Sequence, residues 1–267
     1  MSKYKIARVG LHMWEEPCIS GSRGSGTIFF SGCSLKCVYC QNREVSRGEA
    51  GRYMNSGSLI DAMLSLQEQG AHNINFVTPD YWMPSLRADI ILAKEMGLNI
   101  PVLFNIGGWE SAASLRNFDG LADIYLTDFK YWDDDTAWRY SRAKNYKSIA
   151  MAALKEMHRQ QPSCVFDVDG MMKSGIVVRH LLLPGHRRDA QEIVKYLYET
   201  YGDDIYISLM SQYTPFDIPE AFSELDRKVT RREYEALVDY ALDLGVTNCF
   251  IQEGDVAKES FIPDWDG

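Results

Sequence analysis

Apolar positions along the chain fall into short runs separated by amphipathic stretches. Thr27-Ile28-Phe29-Phe30 reads as a strand. Leu59, Ala62, Met63 and Leu66 recur at i, i+3, i+4 and i+7, one face of a helix that Gly70 stops. Ile74-Asn75-Phe76-Val77 is a second strand, followed by a helix from near Ser85 to Gly97 and a third strand at Ile100-Pro101-Val102-Leu103-Phe104. Ala122-Asp123-Ile124-Tyr125-Leu126 is the fourth strand, and a long helix spans Tyr146 to Gln160. The run from Ile176 to Leu183 is the clearest strand of all. A helix from about Arg188 to Tyr201, a strand from Ile205 to Leu209, a helix from Thr230 to Leu244 and a last short strand at Cys249-Phe250-Ile251 complete the pattern.

Six or seven strands alternating with helices imply an α/β protein with a parallel sheet covered by helices. A doubly wound sheet and a barrel both satisfy the alternation, and the count falls one or two short of a closed eight-unit barrel. Polar residues collect just after the strands: three cysteines after the first, Thr78-Pro79-Asp80 after the second, Asn105 at the third and Asp128 with Lys130 at the fourth. Pro184-Gly185-His186, Gln212-Tyr213 and Gln252-Glu253 follow the later ones. In parallel α/β folds this C-terminal rim is the site face. Loops are polar in any case, which accounts for most of these residues singly. It does not account for the thiols.

Composition narrows the class only slightly. The 267 residues are 46% hydrophobic and 24% charged, ordinary for a globular chain. With 28 Lys+Arg against 37 Asp+Glu the net charge is −9, which argues against nucleic-acid and membrane-surface binding in general. The N-terminus shows no signal-peptide pattern and no apolar run reaches the ~18 residues of a membrane span. The expectation is a cytoplasmic protein with reduced thiols, arranged as one domain: an N-terminal extension over 1–26, a core over 27–252 and a tail over 253–267.

Three of the six cysteines, Cys33, Cys37 and Cys40, form C-x3-C-x2-C. Thiolates at this spacing suit an iron–sulfur cluster or zinc. A [4Fe–4S] cluster usually takes four cysteines, so three would leave one iron open to a small molecule. The rival readings are a zinc knuckle completed by a distant ligand, or three unrelated thiols. Tyr39, between the second and third cysteines, is placed to stack beside a cluster ligand. Cys18, Cys164 and Cys249 form no second motif.

The signature C-x3-C-x2-C resembles that of the radical S-adenosylmethionine (SAM) superfamily. The stretch Gly32 to Asn42, with Glu15-Glu16-Pro17-Cys18-Ile19-Ser20-Gly21, Gly24 to Phe30, Tyr125 to Tyr131, Arg179 to Gly185 and Ser208 to Tyr213, resembles the activating enzymes of glycyl radical enzymes. Within these it is similar to a branch related to pyruvate formate-lyase activating enzyme. The resemblance implies a partial (β/α)6 barrel in which SAM chelates the open iron of a [4Fe–4S] cluster. Reductive cleavage then yields methionine and a 5′-deoxyadenosyl radical that abstracts hydrogen from a substrate. It further implies a reduced electron donor such as flavodoxin or ferredoxin, and a glycyl radical enzyme or peptide as partner, with no nucleic acid and no membrane. Asp128-Phe129-Lys130 matches the D-x-K pattern of the activating enzymes, with Lys130 for the SAM carboxylate and Asp128 for a monovalent cation or a cationic part of SAM. Arg179 in R-x4-P-G is a candidate for the SAM carboxylate or ribose, and Asn105 for SAM or a cation. Many family members carry G-G-E after the second strand. Here Val77-Thr78-Pro79-Asp80 stands there, and Asp80 is the candidate carboxylate. A small-molecule or peptide substrate and a non-enzymatic zinc- or cluster-binding protein are the competing functions.

Overall fold

The computed structural model describes residues 3–252, so the expected tail over 253–267 lies outside the described residues. The strands are β1 (Lys3–His12), β2 (Ser25–Phe30), β3 (Arg52–Asn55), β4 (Ile74–Val77), β5 (Val102–Ile106), β6 (Ile124–Asp128), β7 (Val165–Phe166), β8 (Met172–Leu181), β9 (Tyr206–Met210) and β10 (Cys249–Ile251). The helices are α1 (Pro17–Ser20), α2 (Arg43–Arg47), α3 (Ser56–Glu68), α4 (Met83–Glu95), α5 (Ala112–Arg116), α6 (Asp134–Ser141), α7 (Tyr146–Gln160), α8 (Arg187–Tyr201) and α9 (Arg231–Leu244). The order across the sheet is β10-β9-β8-β6-β5-β4-β2-β1-β3. Along that path from β2 to β10 every pairing is parallel, and β1 and β3 extend the sheet antiparallel beyond β2. The sheet does not close: its path runs from β10 to β3, which is a partial barrel of the (β/α)6 kind.

The strand period divides the core in two. Residues such as Phe30, Phe76, Phe104, Tyr125 and Val178 face the helices and form the large outer core. Their neighbours Leu103, Ile124, Leu126 and Val177 face the lumen and form a smaller core with Cys18, Ile19 and Met172. Both faces of these strands are therefore buried, which explains why they read as nearly continuous apolar runs. The plug at the narrow end of the lumen is α1: Cys18 is 6% exposed and Ile19 is fully buried.

Local signals set most helix limits. The Asn55 side chain accepts a hydrogen bond from Ser58 N at the start of α3, whose buried face is Leu59, Ile60, Met63 and Leu66. Thr230 and Glu233 form a reciprocal capping box on α9. α4 begins at Met83, ahead of Ser85, because Pro84 is favoured in the first turn. β8 starts at Met172 rather than Ile176 because the short strand β7 pairs antiparallel with its first residues. The segment 1–26 contributes β1, whose Tyr4 and Ile6 are buried between exposed or half-buried cations.

Truncating Ile19 removes the apolar plug of the lumen. Ile19→Ala should cost about 2–4 kcal/mol, the range for emptying a well-packed aliphatic site. Urea unfolding of the metal-free protein checks it, and a cost below about 1 kcal/mol would show that the lumen collapses around the gap.

Candidate active site

The loop after β2 carries the three cysteines. Gly32 has φ +99°, a left-handed turn open to glycine, and it brings the chain off the strand so sharply that a Cβ there would meet the Tyr81 ring at 3.0 Å. Backbone bonds then pin the loop to its surroundings: Gly32 N to Val45 O, Cys33 N to Ser46 O, Lys36 N to Ser141 O and Val38 N to Tyr140 O. Leu35 packs on Gly107, where an added Cβ would lie 2.9 Å from its Cδ1. Cys33, Cys37 and Cys40 all line one cavity of about 540 Å³, a size typical of small-molecule sites. The Cys37 Sγ accepts a hydrogen bond from Ser141 Oγ at 2.9 Å. Burial pushes the thiols of Cys33 and Cys37 up, so each needs a cation to be held as thiolate.

The same cavity is lined by Asn105, Asp128, Lys130 and Arg179 at the C-terminal ends of β5, β6 and β8. Asp128 and Arg179 are register partners on adjacent strands. Arg179 donates Nε to Asp128 Oδ1 (3.2 Å), Nη2 to Asn105 Oδ1 (2.5 Å) and Nη1 to Glu15 Oε2 (3.2 Å). Lys130 Nζ donates to Asp128 Oδ2 at 2.5 Å. Glu15 Oε1 accepts from Asn75 and Asn105, at 3.0 and 3.1 Å. One polar chain thus runs Lys130–Asp128–Arg179–Glu15–Asn75 across β4, β5, β6 and β8. Burial alone would raise Asp128 and lower Lys130 and Arg179; their mutual attraction outweighs it, leaving the carboxyl below and both cations above their ordinary ranges.

Two expected residues lie elsewhere. Tyr39 is not among the cavity's lining residues: its hydroxyl meets Tyr131 Oη at 2.6 Å and its ring packs edge-on against Tyr213. Asp80 is also off the cavity wall and braces the cysteine loop, its Oδ2 accepting from Ser34 Oγ (2.7 Å) and Ser34 N (3.2 Å). Thr78, in the left-handed region at φ 55°, takes the wall position after β4. Gln212 lines the cavity, whereas Tyr213 is buried with its hydroxyl on Leu225 O. His180 faces the helices and bonds the Phe129 carbonyl.

Glu15, His12 and Glu110 were not singled out from the sequence. Glu15 stands in the resembling segment before α1, and its signal was the buried Arg179, which demanded a second carboxylate. Glu110 is 6% exposed and accepts from Gly107 N, with Oε2 unpartnered. Burial first, and then the Asp80 carboxylate, push Glu110 up to about 8.

Among the described residues no group of three or more His, Cys, Asp or Glu could hold one metal ion. The three thiols line one cavity. A cubane cluster takes one thiolate per iron, so three leave an iron open, whereas a structural zinc site asks for four donors. The loop, the cavity and the cationic side chains opposite therefore fit a [4Fe–4S] cluster with a small zwitterion beside it.

Residues 27–197 match the Radical SAM superfamily, and the chain belongs to that superfamily. Membership implies a [4Fe–4S] cluster and SAM as cofactors. Over 244 residues, 88% of this chain and 67% of the relative, it is 27% identical to an uncharacterized protein of Methanocaldococcus jannaschii. It is 25% identical to the pyruvate formate-lyase-activating enzyme of Staphylococcus aureus over 63% of this chain and 65% of that one. A radical SAM methyltransferase from Sphaerobacter thermophilus has a similar fold, with TM-score 0.58 at 12% identity, covering 85% of this chain and 66% of that one. Streptococcus suis SuiB, bound to a precursor peptide, gives TM-score 0.55 at 12% identity, covering 85% and 48%. The chain spans about two thirds of the length of the curated relatives and half to two thirds of these solved structures. No described helix is long and apolar enough to cross a membrane.

Two outcomes follow from the site. Glu110 is protonated in the folded protein from its ordinary 4.5 up to about 8 but ionised when unfolded. Folding therefore takes up a proton, and stability falls as pH rises through this window by as much as about 1.4 kcal/mol per unit. Glu110→Gln should flatten that decline in denaturation curves collected across the window; an unchanged slope would show that Glu110 ionises in place. Glu15→Ala strips a carboxylate from the part-buried Arg179 guanidinium and should cost about 2 kcal/mol in the same measurement. A cost under about 1 kcal/mol would show that Asp128 and Asn105 suffice.

Proposed function

We propose that this protein is a radical SAM enzyme that abstracts hydrogen from a protein substrate, in the manner of the glycyl radical enzyme activases. The observation that carries the reading is the shared cavity, lined by both the cysteine trio and the Lys130–Asp128–Arg179–Glu15 chain. When bound, the reduced cluster supplies the electron that cleaves SAM to methionine and a 5′-deoxyadenosyl radical. The chain's own residues position and shield the reactants. Lys130 offers a cation to a ligand carboxylate and Asn105 an amide. Arg179, held on three sides, presents a fixed planar fork rather than a mobile charge. Asp128 has its two oxygens engaged by Lys130 and Arg179, so a monovalent cation there would have to share it. Thr78, rather than a G-G-E carboxylate, occupies the wall after β4, which leaves the SAM amino group to backbone acceptors and to Asn105. Support for the activase reading comes from the Staphylococcus aureus relative. A peptide substrate is the second reading, favoured by the exposed Trp14 and Phe216 that line the cavity beside Lys228. A cytoplasmic setting and a reduced flavodoxin or ferredoxin donor belong to the same proposal.

Anaerobic reconstitution should load about four irons per chain, the content of a cubane cluster, and dithionite should then drive SAM cleavage. Cys37→Ala should abolish it. One zinc without labile sulfide, or cleavage that survives the substitution, would overturn the reading. With a glycyl radical enzyme present, a glycyl signal in paramagnetic resonance supports the activase substrate; a modified peptide product without that signal supports the second reading.

A further inference from the structure

Exposed cations gather on the outside of the cysteine loop, away from the cavity. Lys36 lies between two of the thiols in sequence, is exposed, and donates Nζ to the Cys33 carbonyl at 2.9 Å. The C-terminal end of α6 covers the loop through the Ser141 and Tyr140 carbonyls. Arg142 and Lys144 follow directly, and both sit over the exposed Trp138 ring, 5.3 and 5.2 Å from its centroid. None of these residues lines the cavity. None of the three cations has an ion-pair partner among the described residues, whereas the neighbouring Arg139 is paired with Glu224 at 2.7 Å and Arg43 with Asp217 at 2.6 Å. In a chain of net charge −9, unpaired cations around one exposed tryptophan are a departure that solubility does not require. The α6 carbonyl end favours one cation beside it, not three. The acidic start of α6, Asp133-Asp134-Asp135, lies a helix length away, about 12 Å at 1.5 Å per residue.

The patch also connects to the cysteine loop through two hydrogen bonds. Arg142 is the residue after Ser141, whose Oγ bonds the Cys37 sulfur, and Lys36 bonds the carbonyl of Cys33. A partner seated here stands outside the cluster loop while the cavity stays free for its ligands.

We infer that the Lys36–Trp138–Arg142–Lys144 surface docks the protein that reduces the cluster, a small acidic one-electron carrier. The inference rests on the radical SAM reading above. Opposite charge steers the encounter and sets its salt dependence, and the exposed indole gives the partner an apolar seat. The rival basic surface, Arg187 and Arg188 at the start of α8, adjoins Asp189.

The test uses the reconstituted protein and a purified acidic flavodoxin. Binding is measured by calorimetry, and SAM cleavage is driven in parallel by the reduced flavodoxin and by dithionite. Arg142→Glu with Lys144→Glu should weaken flavodoxin binding by more than about tenfold, and added salt should weaken the wild type in the same direction. Iron content and dithionite-driven cleavage should stay as in the wild type, which also reports that the variant is folded. Arg142→Gln with Lys144→Gln should fall between the two. A change in affinity below about twofold, or a larger loss from Arg187→Glu with Arg188→Glu, would overturn the assignment. Failure of dithionite to cleave SAM in the wild type would overturn the enzymatic reading instead, and the calorimetric comparison still decides the surface.

Discussion

A guanidinium inside a barrel has to be compensated on every side it presents, and Arg179 sets that condition for the wall of this cavity. Its Nε, Nη1 and Nη2 reach Asp128, Glu15 and Asn105, which come from β6, the segment before α1, and β5. Leaving a buried charge without partners costs several kcal/mol, so the three elements are coupled through one side chain. The lumen beneath follows from this. Glu15 can reach Arg179 because Ile19 and Cys18 seat α1 among Leu103, Leu126 and Val177. Glu15 of the polar chain stands just before the apolar plug in sequence.

The cysteine loop depends on the same wall less directly. Leu35 rests on Gly107 at the end of β5, and Asp80 after β4 holds Ser34. Gly108 lets β5 end so close to β6 that an added Cβ would lie 2.0 Å from the Asp128 carbonyl oxygen. The loop is thus fixed by strand ends rather than by its own hydrogen bonds alone. Glu110, neutral in the folded protein, lies within the field of Asp80 and Asp128 and adds no further negative charge there.

Much of this was legible in the chain. β4, α7 and β10 fall on the residues their apolar pattern marks, because a short run of apolar residues marks a strand and a helix with one apolar stripe leaves a clear period. β1 was missed as an element: Lys3 and Lys5 alternate with Tyr4 and Ile6, the register shifts between Ile6 and Arg8, and a strand that is mostly half-buried reads like an exposed segment. Cys33, Cys37, Cys40, Asn105, Asp128, Lys130 and Arg179 could be named beforehand and all line the cavity. The alternation that sends Asp128 and Arg179 inward is a local property of each strand. Glu15 could not be placed that way, because its role depends on where α1 folds relative to four strands far along the chain. Tyr39 and Asp80 differ for the same reason: adjacency to a thiol or to a strand end does not say which way a loop side chain turns.

The charges of the wall close on themselves. Lys130 and Arg179 are positive, Asp128 and Glu15 negative, so the chain is neutral without a ligand and makes no demand for one. Lys130 stands at its end toward the thiols: it counteracts the burial of Cys37, and to a lesser extent of Cys33, and its own charge is held by Asp128. Thiolates formed on metal binding would draw on Lys130 from one side while Asp128 draws from the other. On the reading proposed above, a zwitterionic ligand would turn its carboxylate toward Lys130 and leave its ammonium to backbone acceptors and Asn105, since both Asp128 oxygens are engaged. On that reading the wall would favour a ligand that carries both signs, because a purely anionic one would be opposed by Asp128 and a purely cationic one by Lys130 and Arg179.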